Sequence, residues 1–79
     1  MFDVSFVRDL MRKPMFELCA GDYVFGVDRA VFRVVEIKPL EAHDVSVTFE
    51  ATDGKQTLML ADMGFDVEIA SLLDWLAQA

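Results

Sequence analysis

Val45-Ser46-Val47-Thr48-Phe49-Glu50-Ala51-Thr52-Asp53-Gly54-Lys55-Gln56-Thr57-Leu58-Met59-Leu60 is the stretch whose reading decides the fold. Val45, Val47, Phe49 and Ala51 alternate with Ser46, Thr48, Glu50 and Thr52, the two-residue period of a strand with one buried face. Asp53-Gly54 then breaks the alternation. This dipeptide favours a two-residue type I′ turn, in which both central residues take positive φ. A two-residue loop pairs Thr52 with Lys55, Phe49 with Leu58 and Val47 with Leu60, so the large apolar pairs share one face. The other face carries Glu50 opposite Thr57 and Thr48 opposite Met59, which leaves Met59 exposed or at an interface.

Upstream of this hairpin, residues 31–37 are dense in β-branched and aromatic side chains, and Pro39 ends the run. Val31, Val35 and Ile37 fall on one side and Phe32 and Val34 on the other. A strand apolar on both faces is expected to be central and covered twice. Ala20-Gly21-Asp22 is a turn signature leading into Tyr23-Val24-Phe25-Gly26-Val27, and residues 15–18 precede it. Nearer the start, Phe6, Val7, Leu10 and Met11 lie at helical spacing within residues 3–12. Asp3 or Ser5 could cap that segment, Arg12-Lys13 suit the end of its dipole, and Pro14 closes it. The rival reading is a strand built on the alternation Phe2, Val4, Phe6.

Downstream, residues 65–69 alternate again, with Phe65, Val67 and Ile69 inward and Asp66 and Glu68 outward. Ser71 reads as the N-cap of a final helix. Leu72, Leu73 and Leu76 make one face of it and Trp75 lies at the edge. So short a helix is unstable alone and must dock on the sheet, on the first helix or on a partner.

The order Ala20-Gly21-Asp22-Tyr23-Val24, Phe32-Arg33-Val34-Val35-Glu36-Ile37, the Asp53-Gly54 hairpin and the closing Asp66-Val67-Glu68-Ile69 resembles an SH3-like small β-barrel. The resemblance covers residues 15–69. The expected fold is therefore α+β and one domain over residues 1–79: a small, strongly bent antiparallel β-sheet or SH3-like barrel with a short N-terminal helix and a short C-terminal helix. The resemblance implies an architecture and not an activity, because the family includes peptide readers, RNA-binding modules and self-assembling bacterial or phage proteins. Its nucleic-acid-binding members carry basic loops. The corresponding segments here are acidic, which disfavours direct binding of RNA or DNA.

Composition narrows the function further. One core in a chain of 79 residues supplies only about 3–5 kcal/mol of net stability. Cys19 is the sole cysteine and His43 the sole histidine, so neither a disulfide nor a Cys/His zinc cage can add to it. The chain is 54% hydrophobic, high for so small a domain, and some apolar surface should be buried between chains. A homodimer or larger assembly is the expected partner state. Charged residues interrupt every apolar run before it reaches the roughly 18–20 residues of a membrane span, so no membrane partner is expected. The first residues lack a basic segment followed by a long apolar one, and the cysteine is unpaired; a cytoplasmic location is expected.

The chemistry-bearing side chains form no catalytic pattern. His43 beside Asp44 has no nucleophile at suitable spacing and falls in a polar loop. Cys19, between Leu18 and Ala20, reads as a buried core thiol. Asp62, Asp66 and Glu68 lack the glycine and oxygen-ligand spacing of a calcium loop. Gly21, Gly26 and Gly64 read as turn or bulge positions and not as a phosphate cradle. The protein is thus expected to be no enzyme, with no cofactor, no metal and no catalytic residue.

Charge is the remaining signal. Residues 1–40 carry six bases and six acids, whereas residues 41–79 carry eight acids and only Lys55 as a base. Such a half can steer a basic partner or occupy a nucleic-acid channel as a phosphate mimic, as small phage-encoded or mobile-element inhibitors do. It can also serve only to keep an apolar chain soluble. The expected contact residues are Glu50, Asp53, Met59, Asp62, Met63, Asp66, Glu68, Asp74 and Trp75. The leading expectation is a small non-enzymatic binding or inhibitory protein that sets this acidic surface against a basic site on a partner, such as a nucleic-acid-handling complex. The alternative is a self-assembling structural β-barrel protein.

Overall fold

The computed structural model describes residues 12–79. Six antiparallel strands form one sheet: β1 (Arg12–Pro14), β2 (Tyr23–Phe25), β3 (Val31–Pro39), β4 (Asp44–Ala51), β5 (Gln56–Asp62) and β6 (Asp66–Ala70). The spatial order is β1-β6-β2-β3-β4-β5. Short 3-10 helices at Met15–Glu17 and Val27–Arg29 link strands, and one α-helix, α1 (Leu72–Gln78), ends the chain. The β1 and β5 edges do not pair, so the sheet is open where a closed barrel would be sealed. The helix expected over residues 3–12 lies outside the described residues except for Arg12, which belongs to β1.

Met15, Leu18, Val24, Val34, Val45, Val47 and Phe49 are buried as one cluster, with Phe32, Ile37, Ala61, Met63, Val67 and Ile69 packed against it. Each such buried aliphatic side chain contributes about 1.5–3 kcal/mol by leaving water. Met15 reaches this core from the 3-10 turn after β1. Its N–H donates to the Phe65 carbonyl at 2.8 Å, which ties the start of the described chain to β6. The Gly21 turn is as expected, with Gly21 at φ +98°.

The β4–β5 hairpin departs from the expected register. Val47 stands opposite Met59, Thr48 opposite Leu58 and Phe49 opposite Thr57. Only Gly54 has positive φ (+90°), whereas a type I′ turn needs Asp53 there too. The Gly54 N–H donates to the Ala51 carbonyl and the Ala51 N–H to the Lys55 carbonyl, a three-residue loop ending in a left-handed glycine. One added loop residue shifts the pairing by one position and turns every β5 side chain over. Leu58 and Leu60 consequently point away from the core, 64% and 68% exposed, while Met59 turns to the core side and remains 37% exposed, as expected of it.

A second irregularity lies in β3. The pairing with β4 skips between Val34 and Glu36, which marks a bulge at Val35. Val34 and Ile37 therefore share the core face, in place of the expected grouping of Ile37 with Val31 and Val35. Val31 is buried on the opposite face, where α1 packs on β3, so this strand is covered on both sides.

Candidate functional site

The open edge of β5 is set by the hairpin. His43 and Met63, and likewise Ala51 and Lys55, are hydrogen-bonded pairs flanking β4 and β5. Because such pairs alternate with non-bonded ones, Thr57, Met59 and Ala61 turn their backbone groups toward β4. Gln56, Leu58 and Leu60 turn theirs toward the outer edge, which no described strand pairs with. An apolar groove of about 530 Å³ runs beside that edge, bounded by Val24, Gly26, Val27, Phe32, Phe49 and residues 57–60. A neighbouring groove of about 490 Å³ lies between Met59 and the β1, β2 and β6 side of the opening. Phe25, Phe65 and Val67 line it, and Arg12, Arg29, Asp66 and Glu68 add charge to its walls.

The structure distributes the expected contact residues over several places. Met59, Asp66 and Glu68 meet in the second groove. Glu68 is ion-paired there with Arg29 at 2.7 Å, and the Arg29 guanidinium lies 4.2 Å from the centre of the Phe25 ring. Glu50 is ion-paired with Arg33, whose guanidinium is 5.8 Å from the Trp75 ring centre. Trp75 also packs on Tyr23 at 5.5 Å. Asp53 caps the hairpin turn by accepting the Lys55 N–H, and Asp62 accepts the Gly64 N–H in the next turn. Met63 packs against the core beside Phe16, Ile37 and Val45.

Asp74 closes a capping box with Ser71. Its carboxylate accepts the Ser71 N–H at 2.8 Å and the Ser71 hydroxyl at 2.9 Å, and its own N–H donates to the Ser71 oxygen. The Ser71 backbone bond is the chief reason that its carboxyl is held below the ordinary value; the Ser71 hydroxyl and the Arg29 charge act in the same direction, against a smaller effect of desolvation. Trp75 and Gln78, and not the leucine face, dock α1. Gln78 accepts the Val31 N–H and donates to the Arg29 carbonyl, both at 2.9 Å. Leu72, Leu73 and Leu76 stay exposed.

Sequence reasoning missed Phe25, Arg29, Leu58 and Leu60 as surface residues of this region. Arg29 gave no signal, since its partner Glu68 is distant in the chain. Leu58 and Leu60 were hidden by the turn assignment. Cys19, expected in the core, is exposed, with its N–H bonded to Asp22. His43 lies in an exposed turn, as expected. Among the described residues no group of three His, Cys, Asp or Glu side chains is placed to hold a metal ion, and no helix is long and apolar enough to cross a membrane. Compared with known proteins, the chain matches no protein-family model and no curated protein sequence.

Proposed function

We propose that this chain is a small non-enzymatic binding protein that takes apolar side chains of another protein into the groove between Met59 and Phe65. The observation that carries this reading is the amphipathic lining of that groove: Phe25, Met59, Phe65 and Val67 offer apolar contact, with charged groups at the walls. Glu68 is held by Arg29, while Asp66 makes no ion pair among the described residues and is the carboxylate placed for a partner's basic group. The net charge of −7 steers a basic surface toward it. The partner is a protein with a basic site, the setting in which an inhibitor of a nucleic-acid-handling complex would act. Affinity capture from the native host tests this. A partner retained by the wild-type chain should be lost from a Phe65→Ser/Asp66→Lys variant with an unchanged far-UV circular dichroism spectrum, and equal retention would sink the reading. Self-assembly is the second reading, favoured by a β5 edge that no described strand pairs with.

A further inference from the structure

Edge strands of natural sheets are shielded by charge, proline, bulges or shortness, because a bare edge templates pairing with another chain. Over Gln56–Ala61, and among the described residues, the outer edge of β5 has none of these. It is seven residues long and regularly paired to β4, and Gln56-Thr57-Leu58-Met59-Leu60-Ala61 is the longest uncharged run in the sequence. In a chain of net charge −7, this edge, unpaired among the described residues, is therefore where two copies repel each other least. The run is bounded by Lys55 at one end and Asp62 at the other.

We infer that β5 pairs antiparallel with β5 of a second copy, about a two-fold axis at Met59, to give a continuous twelve-stranded sheet (two sheets of six). A two-fold axis perpendicular to a sheet keeps faces, so each residue meets one of the same parity. The axis at Met59 sets Leu58 opposite Leu60 of the other copy and Thr57 opposite its Ala61. Leu58 and Leu60 are the residues whose N–H and C=O groups face the free edge, so these opposed leucines exchange the new ladder bonds. Their outward side chains join into one four-leucine patch. Charge selects the direction: antiparallel pairing sets the strand end that carries Lys55 against the end that carries Asp62 in the other copy, with Lys55 opposite Met63 and Asp62 opposite Gln56, whereas parallel pairing would set like-charged ends together. The matching of one strand to itself is what identifies the occupant as a second copy and not an unrelated strand. Contact through one strand edge is small against the roughly 1,200–2,000 Å² of a stable interface, which places the affinity in the micromolar range.

The inference stands on the backbone edge of β5; Met59 borders both this edge and the groove, whereas the Phe65 and Asp66 variants alter only the groove's opposite wall. Sedimentation of the full chain from about 1 to 500 µM should show a monomer–dimer equilibrium. Leu60→Lys should weaken dimerisation by about 100-fold or more, because symmetry applies the change twice, while leaving the far-UV spectrum intact. As a second variant, Met59→Cys in a Cys19→Ser background should oxidise rapidly to a covalent dimer. Opposed residues of a non-hydrogen-bonded pair stand about 4.5 Å apart at Cα, within disulfide reach. Leu73→Cys in the same background should not. A monomeric mass across the range, a folded Leu60→Lys that dimerises like wild type, or equal cross-linking at positions 59 and 73 would each overturn the inference.

Discussion

Gly54 holds φ +90° with no atom within 4 Å of the position a Cβ would take, so a side chain there meets backbone strain and no clash. Gly54→Val should cost roughly 1–3 kcal/mol, read as a lowered midpoint in urea denaturation. Gly26 presents the opposite case. An added Cβ would lie 2.5 Å from the Phe32 ring, which meets Phe49 edge-on in the core. Gly26→Ala should therefore destabilise through displaced aromatic packing, by about 1–3 kcal/mol in the same assay. Asp74 gives a dependence on pH. Its carboxyl is held below the unfolded value by bonds from Ser71, so the cap contributes fully above the ordinary carboxylate range and is lost as pH falls through the lower folded value. Emission from Trp75, the only tryptophan, should report α1 loosening over that acid range. Asp74→Asn should remove that step, and an identical titration in the variant would show that the cap is not its source.

At the scale of elements, the Ser71 cap, the alternation of β4, the inward Val67 and Ile69 of β6 and the Gly21 turn were legible, because each depends on side chains within a few residues; Phe65, expected inward with them, precedes β6 and is 54% exposed. The β5 faces were not. Asp-Gly suits either a two-residue loop or a three-residue loop ending in a left-handed glycine, and the choice reverses which side chains are buried. The apolar content of β5 favours neither loop, since Leu58, Met59 and Leu60 supply an apolar residue to both faces. The docking of α1 was hidden for a different reason. Three leucines marked a face by hydropathy, yet the helix is held by Trp75 and by two hydrogen bonds between Gln78 and the backbone of Arg29 and Val31, nearly fifty residues away in sequence. Those bonds yield a prediction: Gln78→Ala leaves the Val31 amide without its partner and should cost about 1–3 kcal/mol, with amide exchange quickened at Val31. Protection at Val31 equal to wild type would show that α1 docks without Gln78. The candidate contact surface was legible only at Met59, Asp66 and Glu68, where side chains distant in sequence happen to converge.

At the scale of the whole molecule, charge separates the two kinds of association. Exposed ion pairs such as Arg29–Glu68 add little stability, but they remove acids from the set available to a partner. What remains is a net charge of −7 carried by every copy. Two copies approaching through the β5 edge repel at long range and attract only at short range, through leucine contacts and ladder bonds. A basic partner approaching the Met59–Phe65 groove is attracted at long range. Salt shortens the Debye length from about 10 Å at 0.1 M to about 3 Å at 1 M, and so acts on the two with opposite sign. Raising the salt concentration should tighten the homodimer, measured by sedimentation equilibrium, and slow association with the basic partner, measured by surface plasmon resonance. A homodimer that weakens with salt would place charged contacts, and not the uncharged β5 run, at the interface between copies. Partner association indifferent to salt would leave the acidic half with no steering role.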